Sequence, residues 1–182
     1  MNDSFLDIVK VFKADRWDDL FFREAALWRG QSHDLQTQCG CVLVKDKISI
    51  STGYNGFIRD IDDSVLPRLR PEKYPFMIHA EANAIYNAVR HGRGVMGSTA
   101  YVTGPPCLSC LQMLYQCGIE KIKFTDISNP QITIFSKEYR QVVDLIAGRM
   151  SLHYTPKDSL FILETKSQKN SLSRPERPPF GV

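Results

Sequence analysis

The stretch Thr99-Ala100-Tyr101-Val102-Thr103-Gly104-Pro105-Pro106-Cys107-Leu108-Ser109-Cys110 reads as a short strand running directly into a helix. β-branched and aromatic residues mark the strand, and Pro105-Pro106 announces a helix over about 107–117 that Gly118 closes. Downstream the alternation repeats: a strand over 121–125, a helix over 136–148 with Ser136 as its N-cap and Gly148 as its stop, and a last strand over 160–164. Upstream, residues 79–90 form an alanine-rich helix. Before it lies a hairpin, Cys41-Val42-Leu43-Val44 and residues 48–52 around the polar turn Lys45-Asp46-Lys47. Trp17, Leu20, Phe21, Ala25 and Trp28 recur at helical spacing and predict a first helix over 16–28, ended by Arg29-Gly30. From Gly53-Tyr54-Asn55-Gly56 to about Met77 the chain is a long connection, kept irregular by Pro67, Pro71 and Pro75. Strands alternating with helices predict an α/β layered fold, and the hairpin makes its partly parallel sheet mixed, with about five strands.

The 182 residues, 43% of them hydrophobic, suit one domain with a sizeable core. That domain is expected over 1–165, followed by a basic tail with Ser and Pro over 166–182, either mobile or an assembly arm. The net charge is +3, and Lys166, Lys169, Arg174 and Arg177 against Glu176 account for it. A near-neutral body gives no broad footprint for duplex nucleic acid. No apolar run approaches the roughly 20 residues of a membrane span, so no membrane partner is expected. The start Met1-Asn2-Asp3-Ser4-Phe5-Leu6-Asp7 lacks the pattern of a secretory signal, so the expected location is the cytoplasm. Five cysteines, an odd number, argue against a disulfide framework.

Two segments carry the chemistry, His79-Ala80-Glu81 and Pro105-Pro106-Cys107-Leu108-Ser109-Cys110, each where a helix begins. Cys107 and Cys110 share one helix face, and a helix N-terminus favours thiolates. Zinc prefers sulfur and nitrogen donors in tetrahedral geometry; a structural site fills all four positions, whereas a catalytic site leaves one for water. His79, Cys107 and Cys110 supply three, so Zn2+ is the expected cofactor. Glu81, two residues from His79, is the expected catalytic residue. Bound zinc can lower a water's pKa to about 7, and a carboxylate beside that water can carry its proton to a substrate. A lone C-x-x-C would equally fit a structural zinc or two buried cysteines; the paired motifs favour the catalytic reading. Together they resemble the H-x-E and P-C-x-x-C signature of zinc nucleobase deaminases.

The resemblance extends further. Gly53-Tyr54-Asn55-Gly56, Asp62-Asp63, Arg70-Pro71-Glu72-Lys73-Tyr74-Pro75 and His79-Ala80-Glu81-Ala82-Asn83-Ala84-Ile85 are similar to the deoxycytidylate (dCMP) deaminases. So are Tyr101-Val102-Thr103 and Cys117-Gly118-Ile119. The likeness covers about 17–125. It implies a three-layer α/β/α cytidine-deaminase-like fold and hydrolysis of dCMP to dUMP and ammonia, which feeds thymidylate synthesis. It implies that Glu81 protonates N3, that the Ala80 N–H and Thr103 carbonyl contact the pyrimidine edge, and that Asn55 contacts the sugar. Arg29 and Arg59 are candidate phosphate contacts. Gly53, Tyr54 and Gly56 are the effector residues it implies, with dCTP as activator, dTTP as inhibitor and a homo-oligomer, commonly a hexamer. The family is also found in viruses, in which case the cytoplasm is the host's. One departure stands out: Ile58 and Asp60 occupy positions where the family usually has proline and glycine. Aspartate repels phosphate and lacks glycine's backbone freedom, which weakens the case for effector control.

Cys39 and Cys41 are expected to be small buried side chains; a second, structural zinc, as in some phage members, is the alternative. Cys117 is expected to face the core, and Trp17, Phe21, Phe22 and Trp28 to be core or subunit contacts. Other readings of the function are deamination of dCTP, of a 5-substituted dCMP or of tRNA adenosine. The last needs a basic face that the body lacks. A non-catalytic nucleotide-binding regulator on the same fold is a further reading, opposed by the presence of Glu81.

Overall fold

The computed structural model describes residues 9–127, 136–157 and 160. In chain order they form β1 (Lys10–Val11), α1 (Arg16–Arg29), β2 (Gly40–Lys45), β3 (Ile48–Tyr54), a 3-10 turn (Tyr74–Phe76), α2 (Ala80–Arg90), β4 (Thr99–Val102), α3 (Leu108–Gln116), β5 (Lys121–Phe124), α4 (Lys137–Ile146) and β6 (Ser151–Tyr154). The strands make one six-stranded sheet in the order β1-β6-β5-β4-β2-β3. β4, β5, β6 and β1 run parallel, and the β2–β3 hairpin joins β4 antiparallel. Asp46 and Lys47 at the hairpin tip both have positive φ, 52° and 61°, as a tight turn matched to strand twist requires.

Strand alternation builds three layers. Val42, Val44 and Tyr101 face α1 and pack on Phe21, Phe22 and Ala25. Cys41, Leu43, Ala100, Val102, Ile122 and Phe124 face the other way, onto Ala80 and Ala84 of α2, Leu111 and Leu114 of α3 and Tyr139 of α4. α1 starts in a capping box: the Asp15 carboxylate accepts from Trp17 and Asp18 backbone N–H groups, and Asp18 accepts from the Asp15 N–H. Asp18 then ties the helix to the sheet, pairing with Lys123 and accepting the Tyr101 hydroxyl at 2.8 Å. Helix and sheet come so close that a Cβ on Gly40 would sit 2.0 Å from the Ala25 carbonyl oxygen.

The sheet has one strand more than the five expected. β1 is two residues long, too short for any periodicity, and β6 reads Ser-Leu-His-Tyr, with one aliphatic residue in four. The strand expected over 160–164 is not seen at its first residue, since Leu160 lies in a turn; 161–164 and the tail at 166–182 lie outside the described residues.

Candidate active site

His79 is the N-cap of α2 and Cys107 the N-cap of α3, and Cys110 lies in the first turn of α3. The residue before His79 is pinned: Ile78 and Gly56 exchange backbone hydrogen bonds at 2.8 and 3.0 Å. α3 is aimed by β4, which delivers Thr103 and the two prolines at its end. The two helix starts converge. His79 Nδ1 lies 3.5 Å from each of the Cys107 and Cys110 Sγ atoms, and all three donor atoms fall within 4.8 Å of one another. A zinc ion with Zn–S of about 2.3 Å and Zn–N of about 2.0 Å at tetrahedral angles needs N···S separations of about 3.5 Å. The spacing and the donor chemistry therefore both fit zinc. Among the described residues this is the one cluster of three such side chains.

The electrostatics suit that role. Hydrogen bonding from Cys110, with burial opposing and His79 assisting, holds the Cys107 thiol down at about 4. The same bond and burial push Cys110 up, so the pair shares a proton unevenly, with Cys107 the more acidic thiol. The bond to Cys107 raises His79 above its ordinary value. Glu81 is 4% exposed, and burial raises its carboxyl against the opposing charge of His79. A carboxyl raised toward neutrality is suited to taking and returning protons.

His79, Glu81 and Cys107 open into a cavity of about 630 Å³ that also reaches Arg29, Asn55 and Thr103. Ala80 is the first residue of α2 and fully buried; an N–H at that position has no acceptor within its own helix. The Thr103 carbonyl accepts from the Thr125 hydroxyl at 3.3 Å. Asn55 lines the cavity while clamping its wall: Oδ1 accepts from the Cys39 N–H at 2.7 Å, and Nδ2 donates to the Thr37 carbonyl at 2.7 Å and to Asp34 at 3.2 Å.

The two candidate phosphate contacts separate. Arg29 lines this cavity, whereas Arg59 lines a second one of about 750 Å³, where it donates to Asn87. Gly53, Tyr54 and Gly56 line that second cavity too, and Trp28 stacks on Tyr54 at 6.5 Å with the rings 7° from parallel. Arg59 thus sits with the expected effector residues, because the loop after Gly56 turns away from the metal ligands. Asp60, at the position where the resemblance implies glycine, holds a left-handed φ of 61°.

Asp34, Arg70 and Lys73 also line the metal cavity, although sequence reasoning assigned none of them a role: Arg70 and Lys73 lay in a segment that carried the resemblance, and Asp34 in none. The signal available was the cluster of Arg68, Arg70 and Lys73 in an otherwise irregular connection. Lys73 is 1% exposed, and its ammonium meets Asp34 at 2.5 Å in a buried ion pair. Burial disfavours the charge on Asp34, but Lys73 and the Thr37 and Gln36 N–H groups outweigh it and hold its carboxyl below the usual range. Asp34→Ala strands the ammonium and is expected to cost about 3–5 kcal/mol in a urea unfolding experiment. This contribution is present above the ordinary carboxylate pKa and is lost as the pH falls through the lowered value.

Cys41 is buried as expected, and burial pushes its thiol well above the ordinary value; Cys39 is only half-buried, since it lines the metal cavity, and desolvation pushes its thiol up to about 12. His33, the histidine nearest them in sequence, lies 3.3 Å from Asp63. Cys117 packs against the core.

The model of the cytidine and deoxycytidylate deaminase zinc-binding region matches residues 15–126. The chain belongs to this family. A mouse deoxycytidylate deaminase is 29% identical over 170 residues, covering 90% of this chain and 92% of that protein. A probable deoxycytidylate deaminase of Caenorhabditis elegans is 40% identical over 111 residues, covering 58% of this chain and 55% of that protein. The chain thus spans little more than half of the worm relative but nearly all of the mouse one. The dCMP deaminase of cyanophage S-TIM5, solved with dCMP and dUMP, superposes with a TM-score of 0.66 at 21% identity, over 79% of this chain and 99% of that one. At that identity the structural likeness speaks for the deaminase fold. Among the described residues, no helix is long and apolar enough to cross a membrane.

Proposed function

We propose that this chain hydrolyses dCMP to dUMP and ammonia. The observation that carries the reading is the buried Glu81 carboxyl beside the His79, Cys107 and Cys110 cluster, at the end of a cavity of nucleotide size. Zinc held by those three residues would supply the Lewis acidity that makes water a nucleophile near neutral pH. Glu81 takes a proton from the attacking water and gives it to N3 of the pyrimidine, then carries the second proton to the departing amino group. The Ala80 N–H and the Thr103 carbonyl hold the base edge, and Asn55 fixes the wall against which the sugar rests. Hydrolysis is balanced: one water enters, one ammonia leaves, and C4 becomes a carbonyl. The name of the mouse relative, which covers 90% of this chain, favours dCMP over dCTP or tRNA adenosine.

The deaminase domain in this reading covers residues 1–165, acts in the cytoplasm on the precursor of thymidylate and assembles as a homo-oligomer. The second cavity is the place for dCTP and dTTP. Its wall carries Asp60 and Asp63 beside Arg59 and Arg93, with Asp63 paired to Arg68 at 2.9 Å; the aspartate at position 60, where the resemblance implies glycine, is the reason a weak response to effectors is expected. A parallel assay of deoxycytidine, dCMP, dCTP and a tRNA anticodon stem, with and without dCTP and dTTP as effectors, tests the whole. dCMP is expected to be the preferred substrate, with less than about tenfold modulation, or 1.4 kcal/mol of coupling. Preference for the unphosphorylated nucleoside would overturn the assignment.

A further inference from the structure

We infer that Arg70 is the residue by which the metal cavity selects a 5′-phosphorylated substrate, an inference that rests on the nucleotide-deaminase reading. It follows from where the charges in the cavity wall go. Lys73 is spent on Asp34 at 2.5 Å, both side chains being buried. Asp126 is engaged by Lys157 at 2.5 Å. Arg68, two residues earlier in the same connection, is held by Asp63 at 2.9 Å.

Arg70 has no such counter-ion among the described residues. Its backbone N–H donates to Gln36 Oε1 at 2.9 Å, and Nη2 donates to the neutral Thr37 hydroxyl. Its Nε is buried with no acceptor. A buried guanidinium N–H without an acceptor is costly unless a ligand completes it. Arg29 lines the same cavity and likewise meets no carboxylate among the described ion pairs.

Two uncompensated guanidinium groups in one nucleotide-sized cavity match a phosphate dianion. The planar fork of arginine offers parallel N–H donors to two phosphate oxygens, which lysine cannot. Thr37 and Gln36 hold Arg70 in place beforehand, so little side-chain freedom is lost on binding. Arg70 touches no reacting atom in this arrangement; it reads the end of the substrate away from the ring.

The test compares dCMP with deoxycytidine on the zinc-loaded wild type, Arg70→Gln and Arg70→Lys. Loss of charge-assisted hydrogen bonds is expected to lower kcat/KM for dCMP by about 10- to 100-fold in Arg70→Gln, mainly through KM. The value for deoxycytidine is expected to change by less than about 2-fold, and Arg70→Lys to recover part of the loss. A merely structural role would depress both substrates together. An unchanged ratio of dCMP to deoxycytidine in Arg70→Gln overturns the inference. Calorimetric binding of dUMP provides a readout free of turnover: weaker binding to Arg70→Gln than to wild type supports it, and equal binding overturns it. If the wild type deaminates neither substrate yet dUMP binding depends on Arg70, the failure lies with the proposed reaction and not with Arg70.

Discussion

Glu81→Ala is expected to lower dCMP turnover by about 10²- to 10⁴-fold while the protein keeps its zinc, its fold and its affinity for dUMP. The separation of effects follows from position. Glu81 is two residues from His79 in the first turn of α2, so its side chain enters the same space without belonging to the metal cluster. The carboxyl does meet Cys110 at the start of α3, but α2 is also held through Asn83 to the Tyr54 carbonyl at 2.8 Å and Asn87 to the Thr52 carbonyl at 2.7 Å. Removing the carboxyl should therefore remove the proton carrier and leave the metal donors standing. Metal analysis, thermal melting and steady-state kinetics on one preparation separate these terms. The pH profile adds a further check. Burial raises the Glu81 carboxyl, so the acidic limb of kcat/KM in the wild type is expected above the ordinary glutamate range and is expected to vanish in the variant. Turnover that survived in Glu81→Ala, with zinc in place, would mean that the proton moves by another route.

The parts of this site that were legible in sequence share a physical reason. A helix start fixes its first residues in space, so spacing puts Cys107 and Cys110 on one face and Glu81 beside His79; that the two helix starts meet at one metal comes from the resemblance to the H-x-E and P-C-x-x-C signature. The hairpin was legible because its turn and alternation are local. β1 and β6 were not, because two and four residues gain strand character only from the parallel neighbours they meet. The cavity walls were illegible for a similar reason. Asp34 and Lys73 are 39 positions apart, and nothing local says that they form a buried pair. Arg29 and Arg59 looked alike in sequence, and the structure sends them to different cavities. Asp60 shows the reverse case: the resemblance marks a missing glycine, and the backbone still adopts the left-handed conformation that a glycine would have taken without strain.

Gly53→Ala is expected to destabilise the protein by at least about 3 kcal/mol, although resemblance alone makes Gly53 an effector contact. A Cβ built there would lie 2.4 Å from the Ala80 carbonyl oxygen and 2.4 Å from the Ala84 amide nitrogen. Both are backbone atoms of α2, and neither can rotate away. Relief requires α2 to shift off β3, and α2 carries His79 and Glu81 at its start. The expected loss is therefore double: a melting temperature lower by about 6–12 °C for a chain of this size, and weaker zinc retention because His79 is drawn from the two thiols. Gly56→Ala supplies the contrast within the same cavity wall. Its Cβ would meet only the Tyr54 ring, at 3.4 Å, and the expected change in stability is within about 0.5 kcal/mol. If these two glycines serve only a ligand, the variants should melt alike and differ from wild type only when dCTP or dTTP is present. If Gly53 serves the approach of helix to strand, Gly53→Ala melts early with no nucleotide present and loses zinc to a chelator faster than Gly56→Ala. A Gly53→Ala protein that melts within about 2 °C of wild type, less than 1 kcal/mol, would place the reason for that glycine in the cavity and not in the packing of α2.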